Sequence, residues 1–307
     1  MPKCGRTGWE GVPGMLKSTM ELYQQARLAA LGEAKELLWD NIETSIWRDD
    51  FLGLSDDEIP LEKIKSQHSY YHPALVSFQT SFIPTILDVK NDKARLVLQY
   101  GASRRIHSIY SAVNTIAEIA YPARTDVCTK EEHGKLGDAL LVFYVSIPAF
   151  FDALAMSAHR IFLPKKLTEE DADLFSRKTW QAFNMPKAYE EIKEYVVWRQ
   201  RLKTQMRHHF VHRIPPYVPS AEHSPEDAKE NGKLQLKYQA AIQAREFEHA
   251  TEVLDRQERL GRFCDKIYFF ERDEYTHINP TVIEDCLMFQ IVALEMLELL
   301  LADERFC

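Results

Sequence analysis

Glycine is scarce in this chain, 11 of 307 residues, and no glycines gather into a phosphate-cradling loop or a Gly-x-Ser-x-Gly elbow. Five cysteines occur, Cys4, Cys128, Cys264, Cys286 and Cys307; their number is odd and no two form a Cys-x-x-Cys pair. That excludes a disulfide framework and a zinc ribbon. It fits free thiols in a reducing cytosol, so a cytoplasmic location is expected. Residues 1–14 hold no apolar segment of the secretory type. No run reaches the roughly 18 uninterrupted apolar residues of a membrane span. The nearest, Val142 to Met156, is interrupted by Ser146, Pro148 and Asp152, and no membrane partner is expected. The formal charge of −8 argues against non-specific duplex binding and would confine any nucleic-acid contact to a patch.

What is present is helix-forming sequence. Windows rich in Ala, Leu, Glu, Lys, Gln and Arg point to a mostly helical, all-α fold. An N-terminal helical extension is expected over residues 1–90, with a helix from Ser18 or Thr19 to about Trp47 and two short helices within 61–89. Asn91 or Asp92 can cap a helix over 93–121 that ends at Pro122. Leu136 to Phe162 is the most apolar segment and reads as a central buried helix. A shorter helix is expected over 168–184, capped near Thr168, and a long one over 186–212. Residues 214–230 read as a surface loop and 231–266 as a polar helical arm, and a polar insertion is expected at about 219–276. Pro280 then opens a last apolar helix that runs to about Ala302. The aromatic residues fall mostly on helical stripes and read as core.

The most informative stretch is Arg-His-His-Phe-Val-His-Arg at 207–213. From Arg199 to Arg213 the chain carries Arg199, Arg201, Lys203, Arg207, Arg213 and three histidines, with no acidic residue. Phosphate or RNA chemistry is the sharp explanation of such a helix end on an acidic protein; a solvated basic face is the plain one. Arginine can fork onto a phosphate, and histidine can move a proton near neutral pH. Five helical steps set Arg207 and His212 roughly 140° apart, so two copies of the helix, packed together, would line a groove better than one. The spacing by itself is weak, because Arg272 and His277 share it. His208 and His212 have zinc spacing but no evident third ligand. Asp152, Ser157 and His159 interrupt the apolar central helix; a carboxylate buried there would need a partner, and Asp152 could orient Arg207 or His212 or form an ordinary cap or salt bridge. Arg104, Arg105 and His107 either extend a basic surface or form an ordinary exposed face.

In its residues and its order of elements, the chain resembles the HEPN domain family. HEPN domains are all-α bundles whose late helix often carries Arg, a polar residue, apolar residues, His and a trailing Arg. Here Arg207, His208, Phe210 with Val211, His212 and Arg213 match that pattern. Two long helices precede the motif and an apolar helix follows it. The resemblance covers about 91–303, with specificity carried by seven contiguous positions; the chain departs from the family in a long N-terminal extension and in roughly 60 inserted residues before the last helix. It implies a metal-independent, cofactor-free endoribonuclease acting as a homodimer through the motif helix. Arg207 would hold the scissile phosphate and His212 would be the general acid or base. His208, Arg213, Arg199 and Lys203 would bind substrate. RNA or a nucleotide is the expected ligand, and an antitoxin partner belongs to the same expectation. The family also contains non-catalytic RNA- or nucleotide-binding modules, and a helical protein-interaction domain without a nucleotide ligand stays open beside both.

Overall fold

The computed structural model describes residue 78 and residues 82–84, 86–121, 124–208, 210, 215–269 and 274–306. Nearly all of the expected extension over 1–90, together with residues 209 and 211–214, lies outside these described residues. The described residues are 71% helical and 5% strand, which makes the fold all-α.

The first helical run begins at α1 (Asp92–Val97), passes through a π-type turn (Leu98–Ala102) and continues as α2 (Ser103–Ile119). Asn91 caps it as expected: its side-chain oxygen accepts from the backbone N–H groups of Lys93 and Ala94, each at 3.1 Å. Gly101 lies in the π turn, where a Cβ would come within 3.1 Å of the Ala153 methyl group. A side chain there would press on Ala153 more tightly than ordinary packing, so that neighbour would have to give by a few tenths of an ångström.

Helix α3 (Lys130–Phe162) is the centre of the molecule. It starts six residues before the expected Leu136 because Thr129 and Glu132 form a reciprocal capping box. Leu136, Leu140, Phe143, Ile147, Phe150, Phe151, Leu154 and Ala158 are buried at helical spacing. Pro148 stays inside the helix, its side chain buried in the core. By length and composition α3 is apolar enough to cross a membrane, but 61% of its most apolar window is packed inside the protein. Phe150 meets Phe78, Phe82, Phe151 and Phe289 edge-on or tilted at 5.1–6.2 Å between ring centroids. Phe151 carries the cluster on to Phe175 and Trp198.

Between α2 and α3 the chain turns around a buried arginine. Arg124 donates to the carbonyls of Ile119, Asp126 and Val127 and to both carboxylate oxygens of Glu132. Its guanidinium also faces the ring of Phe263. The charge is therefore fully bonded, the condition under which a buried cation is tolerated.

The helix expected over 168–184 is only α4 (Arg177–Ala182). Thr168 and Asp171 do make the capping bonds, at 2.7 and 3.2 Å, but no helix grows from them. Trp180, buried and donating to the Leu174 carbonyl at 2.6 Å, ties the preceding turns down instead. The helix expected over 186–212 is segmented into α5 (Ala188–Ile192), a 3-10 turn (Lys193–Tyr195) and α6 (Val196–Arg201), which enters a second π-type turn (Leu202–Arg207).

The polar arm is a pair of helices, α7 (Pro225–Ala244) and α8 (Phe247–Glu258); α7 begins inside the loop expected over 214–230, because Ser224 and Asp227 form a capping box and Pro225 suits the first helical position. It is followed by an antiparallel hairpin absent from the sequence-based expectation, β1 (Lys266–Phe269) and β2 (Glu274–His277). Alternating Ile267 and Phe269 bury one face of β1, a pattern four residues long and too short to stand out beside the polar arm. Helix α9 (Ile278–Leu301) closes the fold. Its N-terminus is held from outside, by Asp265, which accepts from the backbone and side-chain nitrogens of Asn279 at 3.3 Å.

Two stability predictions follow from this core. Phe289→Ala removes a ring packed against Phe78, Phe150 and Phe151. It is expected to cost about 3–5 kcal/mol in chemical denaturation. The bonds from Arg124, then that from Thr129, hold the Glu132 carboxyl down at about 2. A depressed carboxylate stabilises the fold fully above its unfolded value near 4.5, and the contribution is lost as pH falls toward about 2. Glu132→Gln is expected to flatten that part of the acid-unfolding curve, measured by circular dichroism.

Candidate functional site

Leu202 and Met206 anchor the motif helix in the core, and its charged residues take up the remaining faces. On a regular α-helix the eight steps from Arg199 to Arg207 would leave the two about 80° apart. The π turn over 202–207 takes up an additional residue, which sets the phase back by about 100° and brings them nearly into line. Both reach the same carboxylate. Asp152 of α3 meets Nη2 of Arg199 through Oδ1 at 3.5 Å and Nη1 of Arg207 through Oδ2 at 3.4 Å. Asp152, singled out from the sequence as a charge in an apolar helix, is therefore a partner of Arg207.

The environments of these three groups differ. The Arg199 side chain is only 7% exposed, that of Arg207 is 35% exposed, and that of Asp152 is 54% exposed. Phe175 lies under the Arg199 guanidinium, 5.5 Å from ring centroid to Cζ. Nε and Nη1 of Arg199 are buried and have no hydrogen-bond partner among the described residues. Burial pushes the Arg199 pKa down, against the opposing pull of Asp152 and, after it, Asp173. The Asp173 carboxylate is itself engaged, accepting from the Phe175 N–H at 3.0 Å.

Arg201 points to the other side of the helix. It pairs with Asp285, a fully buried residue of α9 that also accepts from Nε1 of Trp198 at 3.0 Å. A buried carboxylate of α9 thus grips the motif helix on one side, while a half-exposed carboxylate of α3 meets it at longer range on the other.

Of the residues expected to bind substrate, Arg199 is buried rather than facing solvent, while Lys203 and His208 are exposed. Arg207 sits half-buried between them in character. His212 and Arg213 lie outside the described residues, as does Arg272 of the second Arg-x4-His spacing. His277 is buried in front of α9, its Nδ1 3.8 Å from Asp265. The other polar interruptions of α3 have structural duties: the Ser157 hydroxyl donates to the Ala94 carbonyl at 3.2 Å, and a His159 ring nitrogen bonds the Leu167 carbonyl at 2.8 Å. Arg104, Arg105 and His107 are exposed on α2. His107 lines a shallow groove of about 490 Å³ between α2 and α3, with Ser111, Thr115, Lys135, Asp138 and Val142; neither Arg207 nor Asp152 contributes to it.

No family model, curated protein or solved structure matches the chain.

Sequence reasoning missed Phe175, Trp198 and Asp285 as members of this neighbourhood. Asp285 carried the same signal that exposed Asp152, an acid inside a strongly apolar helix. Trp198 and Phe175 carried none, since a buried aromatic beside a guanidinium looks the same in sequence as any core ring.

Chemically, two guanidinium groups converging on one point suit an anion with several oxygens. The grip behind them is open to test. Asp285→Ala leaves the Arg201 charge buried without this counter-ion and is expected to cost about 3–5 kcal/mol in denaturant. The double replacement Arg201→Met, Asp285→Leu is expected to recover most of that loss.

Proposed function

We propose that this chain is a HEPN-like protein that acts on RNA phosphodiesters as a metal-independent endoribonuclease. The reading rests on the convergence of Arg199 and Arg207 on Asp152, within the run from Arg199 to Arg213 that is basic and carries no acid. Arg207, half-exposed, is the group that would fork onto the scissile phosphate and offset charge developing there. His212, five residues on, would take the proton of a ribose 2′-hydroxyl or return one to the leaving oxygen. Exposed Lys203 and His208, with Arg213, would hold the flanking backbone of the RNA. In this proposal a second copy of the chain supplies the opposing motif helix, and an antitoxin would restrain the pair.

The test uses the purified full chain, single-stranded RNA and a chelator, beside Arg207→Ala and His212→Ala. Cleavage by the wild type is expected to fall by at least about a hundredfold in either variant, the scale of a lost general acid–base or charge-stabilising group. Cleavage that survives both substitutions sinks the assignment. RNA affinity that weakens with salt, without any cleavage by the wild type, assigns the chain to the non-catalytic binding members of the same class.

A further inference from the structure

The Asp152 carboxylate stands where two arginines would place a phosphate, and it is loosely held. Its contacts to Arg199 and Arg207 are 3.5 and 3.4 Å, whereas a good charge-assisted bond runs to about 2.7–2.9 Å. The Asp152 side chain is 54% exposed, so water is at hand to solvate the carboxylate if it turns away. The Arg199 guanidinium has no such freedom. It is 7% exposed and backed by Phe175, and it belongs to a helix fixed by the pairing of Arg201 and Trp198 with Asp285. Two of its three nitrogens are buried with no acceptor among the described residues. A buried cation offered one long contact is under-satisfied, and a buried donor without a partner is costly.

We infer that Arg199 and Arg207 form a two-arginine clamp for a single phosphate group, and that Asp152 is the clamp's resident anion, displaced when phosphate binds. A phosphate brings more acceptor oxygens than a carboxylate, so it can span both guanidinium groups at once and bond each more closely than Asp152 does. The in-line placement of the two arginines comes from the π turn over 202–207; a regular helix would aim Arg207 elsewhere. Phe175 holds the Arg199 plane as the anion exchanges. Asp152 then has two effects. It keeps the buried arginine compensated when the clamp is empty, and it competes with every anion that enters. The inference rests on the phosphate-directed reading of this helix and adds to it a second arginine and a built-in competitor, neither of which requires cleavage.

The experiment follows the thermal unfolding midpoint by circular dichroism as inorganic phosphate is added, with chloride at matched ionic strength as the screening control. A parallel titration uses a short single-stranded oligoribonucleotide. Each variant is compared with its own phosphate-free baseline, so a change in basal stability does not enter the result. Wild type is expected to gain stability with phosphate beyond the chloride control, as a ligand bound only by the folded state requires. Asp152→Asn is expected to bind phosphate several-fold more tightly. Arg199→Met, which keeps the packing on Phe175, and the half-exposed Arg207→Gln are each expected to abolish the gain. Equal protection of Arg199→Met and wild type overturns the clamp. Weaker phosphate binding by Asp152→Asn overturns displacement and makes Asp152 an orienting group. Protection by the oligonucleotide alone, unaffected by Arg199→Met, also overturns the clamp, because the RNA is then held elsewhere. Because no cleavage is measured, failure here leaves the ribonuclease proposal standing, and absence of ribonuclease activity leaves the clamp standing.

Discussion

The motif helix depends on two carboxylates that reach it from opposite sides. Asp285 is fully buried, and in that setting the attraction between unlike charges is strong while the cost of leaving either alone is severe. Its pairing with Arg201, shared with Trp198, fixes which face of the helix turns inward. Asp152 sits at the border with water, where the same attraction is screened. One contact is therefore a structural commitment and the other is negotiable. The chemistry of the helix end is built on the difference between them.

Both carboxylates are in turn placed by apolar packing. Asp152 follows Phe150 and Phe151, whose rings lock α3 against Phe289 of α9. Phe151 also touches Trp198 and Phe175, the two aromatics that flank Arg201 and Arg199. A change of volume in this cluster moves the charged groups with it, because close-packed interiors transmit displacement rather than absorb it. The core and the site are mechanically one object.

Much of this architecture was legible from the residues. The Asn91 cap, the buried stripe of α3, the helical arm and the last apolar helix are written in strong local signals: a capping side chain, a 3.6-residue period, a charge-rich window. Asp152 stood out as an acid among apolar neighbours, but the structure turns it toward water, 54% exposed, where it meets Arg199 and Arg207 without burial demanding a partner. Other features have no local signature. Thr168 and Asp171 make the bonds of a helix start, yet no helix follows before Arg177. The hairpin 266–277 pairs strands of only four residues, and it is flanked by Tyr217, 51 residues before its bridge partner Tyr268 in the numbering. Arg199 reads as one more exposed base, because the π turn that aligns it with Arg207 depends on how Leu202 and Met206 seat in the core.

The arm formed by α7 and α8 leaves the bundle and returns to it through one narrow doorway. Glu222 and Arg262 exchange both backbone hydrogen bonds, at 2.8 and 2.9 Å, and Tyr217 and Tyr268 do the same at 3.0 and 2.8 Å. A second clasp, from the Glu222 carboxylate to Arg262 and Lys266, closes the doorway from the side-chain direction. Chain that enters and exits at a single fastened point can lengthen, shorten or be exchanged without shifting what lies beneath, since loop closure costs little per added residue. Among the described residues the arm is thus the part freest to diverge, a detachable handle on a bundle whose own geometry is held by its aromatic core and not by what hangs from it.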